Sequence, residues 1–354
     1  MRMPYRNFCL IASRTQLVSR LVLAASSLAL IAFFTACGGG SGSIQSDFTL
    51  TVYSGRSATL VHPIFSEYAE DTGADLLLKY RSTSKLIATL QEQGGKSPAD
   101  VFFSQDPVGL KTMEEMFTTL PDSILAKVPD WARSSDGKWV GVSGRARVVV
   151  YNTDALEEVE LPGDIWDFVH PKWKGRIGFP PTNASFQAMV TGMREIWGED
   201  KTRDWLKGIH ANDPAMYAGN GATVAAVGAG EVEVGFVNHY YLYRLLEENG
   251  ESFPVRNYHL RDGGPGALVT VAGVGILKSS KHKEAAEQFI DFMLSDAAQQ
   301  YFATQSHEYP LTGNIPIKPG LVPFDEINQA SISLSDLPSI EGTQRLLRET
   351  HILP

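Results

Sequence analysis

An α/β protein of two lobes, joined by hinge strands and closing on a cleft, is the fold that this sequence predicts. Three observations carry the expectation. Short strand-like runs alternate with helical stretches from Phe48 to Ser104, a pattern that implies a mainly parallel sheet with helices on both faces. Two long β-branched runs, Arg145 to Tyr151 and Gly266 to Leu277, flank one further strand-helix set, so the chain leaves one lobe, builds another and returns. With 354 residues, 43% hydrophobic and 20% charged, the chain is long and apolar enough for two separate cores.

The N-terminus carries Arg2, Arg6, Arg14 and Arg20 and no acid, followed by an apolar run from Leu21 to Phe34 and by Thr35-Ala36-Cys37. Small residues before a cysteine resemble the lipobox of bacterial lipoproteins, with Phe34 where leucine is usual. Residues 1–36 are therefore expected to be a signal peptide, Cys37 to carry lipid, and residues 37–46 to form a Gly/Ser tether. A transmembrane helix is the competing reading, but the run falls short of the ~20 residues needed to cross a bilayer. Removing Cys9 and lipidating Cys37 leaves no cysteine for a disulfide, a thiolate metal site or a nucleophile. The whole chain has a net charge of -9 and its exported part is more acidic still, which argues against a nucleic-acid partner.

Along the mature chain, Phe48 to Tyr53 alternates as a strand, Ser54 to Ser57 turns, and Ala58 to Glu70 reads as a helix despite Pro63. Leu76 to Tyr80 is a second strand, Leu86 to Gln93 a helix closed by Gly94-Gly95, and Ala99 to Ser104 a third strand before Gln105-Asp106-Pro107 opens another helix. The loops 54–57, 81–84 and 104–106 should line one rim. In the second set, Arg176 to Phe179 is a strand, and helices are expected over Ser185 to Trp197, Lys201 to His210 and Ala222 to Val227. Glu231 to Val237 reads as a half-buried strand, Arg244 to Glu248 as a helix, and a helix over Lys283 to Leu294 follows the return. An amphipathic end closes the chain around Thr343 to Leu347. The lobes are expected to comprise residues 47–147 with 269–320, and 148–268 with 321–354.

Between the last strand and helix of the second set stand two adjacent phenols, Tyr240 and Tyr241. Ligands of open α/β sheets bind beyond the carboxyl ends of strands, where these tyrosines sit. Phenolate is a hard oxygen donor with a free pKa near ~10, so only a hard, highly charged cation displaces its proton at neutral pH. Ferric iron fits that description. The plainer reading of a Tyr-Tyr pair is amphipathic packing at a domain surface.

Taken together, the mature residues resemble the ferric-ion-binding proteins of bacterial ABC importers, within the two-lobed periplasmic-binding-protein superfamily. The resemblance is carried by Thr51-Val52-Tyr53-Ser54-Gly55-Arg56, Ser97 to Phe102, Ser143 to Tyr151, Pro171 to Gly178, Asn238-His239-Tyr240-Tyr241-Leu242-Tyr243 and Pro265 to Val269. It implies a hinge and an interlobe cleft, with Tyr240 and Tyr241 as metal ligands. A synergistic anion, carbonate or phosphate, would complete the iron's shell, held by Asn183, Ala184, Ser185, Asn220 and Asn238 with Arg147 nearby. The loop at Asn183 precedes a helix whose first N–H groups attract negative charge, although helix capping accounts for Asn183 and Ser185 equally well. Where members place a histidine and a glutamate ligand this chain has Ser57 and Gln105, and where others place a further tyrosine it has Phe186. Tyr80, Asp106 and His239 are further ligand candidates, each with an ordinary hydrogen-bonding or core role as the alternative.

No phosphate loop, His-Glu-x-x-His or Gly-x-Ser-x-Gly motif is present, which disfavours an enzyme. The expected protein is a monomeric, exported, lipid-anchored or periplasmic carrier that delivers Fe3+ to a permease. The competing expectation is the same fold binding a small anion such as phosphate, or a thiamine-like cation, without iron. Arg56, Arg145, Arg147 and Arg261 keep the anion reading open.

Overall fold

A computed structural model describes residues 49–330 and 332–354. The expected signal segment, Cys37 and the tether lie outside the described residues. No helix among the described residues is long and apolar enough to cross a membrane.

The chain begins as expected with β1 (Thr49–Ser54), α1 (Ala58–Thr72), β2 (Asp75–Tyr80), α2 (Thr83–Gln93), β3 (Val101–Ser104), α3 (Pro107–Met113) and the short α4 (Asp122–Leu125). In α1 the residues Leu60, Val61, Ile64, Phe65 and Tyr68 are buried, one face of a 3.6-residue repeat, and Gly73 ends the helix in the left-handed region with φ 69°. Next comes β4 (Val140–Asn152), with all thirteen of its residues buried. The second set holds β5 (Ile177–Phe179), α5 (Ala184–Trp197), α6 (Glu199–Ala211), β6 (Ala215–Met216), α7 (Asn220–Gly228), β7 (Val234–Asn238), α8 (Tyr240–Asn249) and β8 (Val255–Tyr258). The chain returns through β9 (Val269–Ile276), α9 (Lys283–Met293), α10 (Asp296–Thr304) and β10 (Tyr309–Pro310), and ends in α11 (Ile340–Glu349).

The strands order as β2-β1-β3-β9-β4-β7-β5-β6, with β8 and β10 also pairing β4. The expectation of a mainly parallel sheet holds only toward the ends. There β1 runs parallel to β2 and β3, and β5 parallel to β6 and β7. In the middle, β3-β9, β9-β4 and β4-β7 are all antiparallel. The reason is topological: β4 carries the chain out of one lobe and β9 carries it back, so the two run in opposite directions side by side.

β4 changes partners along its length. Val140 to Ala146 pair with β9, while Arg147 to Tyr151 pair with β7. Around its two halves form distinct apolar clusters. The first holds Leu50, Ile64, Phe65, Phe103 and Phe289, and the second holds Trp173, Phe179, Phe186, Trp205 and Phe236. The C-terminal tail is shared between them, with Leu334 and Leu337 in the first and Leu346 and Leu347 in the second, rather than lying wholly with the second lobe. Close approach of the two hinge strands leaves no space at Gly273, where an added Cβ would meet the Val140 carbonyl oxygen at 2.5 Å.

Two expectations shift around the tyrosines. β7 is buried throughout rather than half-buried, because it lies between β4 and β5 with Phe236 facing the second cluster and Val237 packing with α7 residues on the other side. α8 starts at Tyr240, four residues earlier than the pattern of Arg244 to Glu248 suggests, since Tyr240 and Leu242 are its buried positions.

One ion pair ties the ends of the first lobe. Arg56, in the loop after β1, donates to Glu308 through Nη1 at 2.8 Å and Nη2 at 2.5 Å, and Ser143 Oγ of β4 donates to the same carboxylate at 2.5 Å. Both side chains are fully buried. Burial raises the cost of the Glu308 carboxylate, but the Arg56 guanidinium outweighs it and holds the group below the usual range. A depressed folded-state value stabilises the fold above the unfolded carboxylate pKa of ~4.3, and that contribution disappears as pH falls through the folded value. Replacing Glu308 with Ala strands a buried cation and is expected to lower the unfolding free energy by about 3–5 kcal/mol in chemical denaturation. The variant should also lose part of the wild type's acid-side stability slope; unchanged stability and slope would contradict this role.

Candidate functional site

Tyr240 and Tyr241 occupy the first two positions of α8, beyond the carboxyl end of β7. Their rings stack at 4.4 Å between centroids, 29° apart, so the neighbouring phenols lie together. Tyr240 is 1% exposed and packs into the first apolar cluster although its helix belongs to the second lobe, while Tyr241 is half-buried between clusters. Burial pushes the Tyr241 phenol well above its ordinary value, and the adjacent Tyr240 and their mutual hydrogen bond push it further. Arg56 and Arg145 pull it back only in part. Without a cation, Tyr241 keeps its proton at neutral pH.

Three buried guanidiniums surround the pair: Arg56 at 2% exposure, Arg145 at 0% and Arg147 at 1%. They differ in how they are paired. Burial costs Arg56 its usual preference for charge, but Glu308 more than restores it. Arg147 has no carboxylate partner: burial and the nearby Arg145 both penalise its charge, and the two tyrosines favour it. Because a guanidinium does not shed its proton in proteins, that penalty remains as an unmet demand for negative charge. Among the described residues, Nε and Nη1 of Arg145, Nε and Nη2 of Arg147 and Nδ2 of Asn238 are buried donors that find no protein acceptor.

The asparagines and serine expected to hold an anion are brought together around Arg147. Its Nη1 donates to Asn238 Oδ1 at 3.0 Å, Ser185 Oγ at 3.4 Å and Asn220 Oδ1 at 3.5 Å. Asn220 Nδ2 donates to Asn183 Oδ1 and to Ser185 Oγ, each at 3.3 Å. Asn183 is the N-cap of α5, and its Oδ1 accepts from the Ser185 backbone N–H at 2.9 Å and hydroxyl at 2.6 Å. Capping and the proposed cradle are therefore two uses of the same residues. Ala184 opens α5, Asn220 opens α7 and Tyr240 opens α8, so three helix N-termini, whose dipoles favour negative charge, contribute residues to this assembly.

A polar cleft of about 640 Å³ adjoins it, lined among others by Ser82, Lys85, Asp106, Asn183, Gln187 and Gln344. Asp106 caps α3 through Oδ1, which accepts from Gly109 N–H at 2.9 Å, and its buried Oδ2 has no partner. Burial raises its carboxyl pKa, against the pull of the capping N–H and of Arg145.

The remaining candidates stand elsewhere or are engaged. Tyr80 ends the edge strand β2 and its hydroxyl meets His62 Nδ1 at 3.1 Å. His239 is no ligand in this arrangement, because its Nδ1 accepts from the Ala146 N–H at 3.1 Å and its Nε2 lies 2.8 Å from the His307 carbonyl. Burial, with His259 nearby, pushes its pKa down to about 3, so the ring is neutral. Arg261 does not face the cleft; it donates to the Leu161 carbonyl at 3.0 Å and lies over Tyr258. Ser57 is exposed and bonded to Thr59, Gln105 lines the cleft, and Phe186 stacks on Phe179 at 4.7 Å within the second core. No group of three or more His, Cys, Asp or Glu among the described residues is arranged to hold a metal. Glu308 was not marked by sequence reasoning and has no local signal, since its partner Arg56 lies far along the chain.

Two α/β lobes joined by crossing strands, with a polar cleft and a buried charged cluster where the strands cross, define a solute-binding protein. The chain belongs to the bacterial extracellular solute-binding protein family, whose model matches residues 96–328. It is 32% identical over 304 residues to an Fe(3+)-binding periplasmic protein of Serratia marcescens, covering 85% of this chain and 90% of that one. The structure of iron-bound HitA from Pseudomonas aeruginosa superimposes with a TM-score of 0.82 at 34% identity, over 85% of this chain and 99% of that one. A Trichodesmium protein (IdiA, FutA) in complex with iron and citrate ligands matches with a TM-score of 0.73 at 28% identity, over 86% and 99% of the two chains.

Asn220 supplies two donor bonds and an acceptor for the Asn238 N–H in this network. Asn220→Ala takes away the acceptor of the buried Asn238 N–H and is expected to lower the unfolding free energy by about 1–3 kcal/mol in urea denaturation.

Proposed function

We propose that this protein is the ferric-iron-capturing component of a bacterial ABC importer. Fe3+ is bound as cargo by the Tyr240 and Tyr241 phenolates together with an exogenous anion, and is handed to a membrane permease. The observation that carries this reading is a buried, stacked phenol pair set among three guanidiniums, at least one of them without a carboxylate partner. Phenolate oxygens suit a hard trivalent cation, and the nearby positive charge favours phenolate over phenol once the cation arrives. The iron-bound relative of Pseudomonas aeruginosa and the Fe(3+)-binding relative of Serratia marcescens support the same cargo.

Charge balance accounts for the anion. Arg56, Arg145 and Arg147 stand against Glu308 and Asp106, one positive charge in excess when both acids are ionised. Two phenolates and one ferric ion add another. Such an excess in a buried site is costly, and a small anion relieves it by binding the metal and the orphaned donors together. Carbonate or phosphate seated against Asn183, Ala184, Ser185, Asn220, Asn238 and Arg147 fits this role, and the complex of the Trichodesmium relative with iron and citrate supports an exogenous anion beside the metal. Ser57 and Gln105 stand where a neutral histidine ligand and an anionic glutamate ligand would, which increases the dependence on that anion. Export to the periplasm, a lipid anchor at Cys37, a monomeric state and a permease partner complete the reading of a carrier rather than an enzyme.

Loaded protein is expected to show a visible phenolate-to-iron charge-transfer band. Tyr240→Phe and Tyr241→Phe should each diminish the band and weaken iron binding by more than the ~10–100-fold that loss of a supporting partner costs. A colourless wild type that takes no ferric iron from a weak chelator but binds phosphate would overturn the reading in favour of a metal-free anion carrier.

Two further outcomes follow from the chemistry. Each iron displaces two phenol protons, so apparent affinity should rise about 100-fold per pH unit below the phenol pKa, measured by competition at fixed free iron. Affinity should also fall when carbonate and phosphate are both withheld, and fall less steeply in an Asn183→Ala, Ser185→Ala double variant; an anion-independent affinity contradicts the synergistic role.

A further inference from the structure

His239 immediately precedes the phenols, and no part of its imidazole is free. Its Nδ1 accepts from the Ala146 backbone N–H at 3.1 Å, so the ring proton resides on Nε2 and is donated to the His307 carbonyl at 2.8 Å. The backbone pairing is reciprocal, since His239 N–H donates to the Ala146 carbonyl at 3.1 Å. Asn257 Nδ2 donates to the His239 carbonyl at 2.9 Å. The ring itself lies between two others, edge-on to Tyr240 at 5.7 Å and tilted against Tyr309 at 4.8 Å.

The two anchors occupy particular places in the fold. Ala146 is the last β4 residue paired with β9, and Arg147 after it is the first paired with β7, so the Nδ1 contact grips the crossing between lobes. His307 lies in the returning segment of the first lobe, with its neighbour Glu308 paired to Arg56. It adopts φ 56°, a left-handed conformation that a non-glycine residue holds only when its surroundings impose it. One side chain thus fastens the start of the tyrosine helix to the hinge and to the first lobe together.

We propose that His239 is the positioning residue of the cargo site: by bridging Ala146 and His307, its imidazole sets where the Tyr240 and Tyr241 oxygens stand and couples them to the hinge. This rests on the proposed iron-binding role of the tyrosines. His239 does not touch the metal. It acts as outer-shell partners of a metal site do, by restricting the orientation of the groups that bind. The fixed pair of hydrogen bonds sets it apart from a residue that merely fills space, because a donor and an acceptor are each needed at a defined distance from the ring.

The test separates the two bonds. His239→Asn keeps an acceptor near the Nδ1 position but cannot reach the His307 carbonyl, whereas His239→Gln extends a donor toward His307 and gives up the Ala146 contact. Both, with wild type and with Phe289→Leu as a control at a ring that contacts Phe65 and Tyr68, are titrated with ferric iron against a weak chelator in saturating carbonate. Affinity, the position of the charge-transfer band and the urea midpoint are recorded for each. Both His239 variants are expected to lose about tenfold or more in affinity and to shift the band, whereas Phe289→Leu loses stability with its band and affinity unchanged. If the His239 variants match wild type in band and affinity, or lose affinity only as far as the control does at equal loss of stability, the proposal is overturned while the iron reading stands. A wild type with no band overturns the iron reading and this proposal with it.

Discussion

Everything at the centre of this molecule depends on one strand having to satisfy two sheets. β4 is buried over all thirteen residues, so each polar group on it must find its partner inside the protein. Its backbone does so by changing neighbours between Ala146 and Arg147. Its side chains do so less completely, since Arg145 and Arg147 bring two cations into the interior and leave four of their nitrogens without protein acceptors. A buried charge without a partner is among the costliest features a fold can carry, and it persists where function uses it. The strand that joins the lobes is thereby also the strand that makes the centre electropositive.

The tyrosines complete this centre from the other side. Arriving on a helix of the second lobe, Tyr240 nonetheless packs with apolar residues of the first. A phenol placed there is held by both halves of the molecule. Around its neighbour Tyr241, burial favours the phenol. Under the proposed function a cation reverses that preference, so the site has two charge states and the proposed cargo selects between them.

Much of the fold was legible because it is local. Strand and helix periods, the Gly94 stop, and the β-branched runs that became β4 and β9 are properties of short windows, and they lie where expected. The paired tyrosines stood out by their donor chemistry and stack together in the structure, which also draws the asparagine set together around Arg147. What escaped was set by contacts distant in sequence. The antiparallel centre depends on strands roughly eighty residues or more apart in sequence finding one another, and the burial of β7 depends on what covers it. Nothing near Glu308 announces a partner at Arg56. His239 read as a ligand candidate because a histidine beside two phenols is chemically plausible; only the positions of Ala146 and His307 show both nitrogens already occupied.

The sharing of residues between early and late parts of the chain bears on how the protein is made. The first apolar cluster needs Val271, Val274, Phe289 and Phe302 beside Leu50 and Phe65, and Glu308 must arrive before Arg56 is neutralised. An emerging polypeptide therefore cannot close its first lobe while the ribosome is still reading the second, and must tolerate open apolar surface until its final quarter appears. Such late closure is slow, because long loops are ordered before the contacts that reward them. For the exported carrier proposed above, that slowness is an advantage: the structure assembles only when nearly all of the chain has crossed.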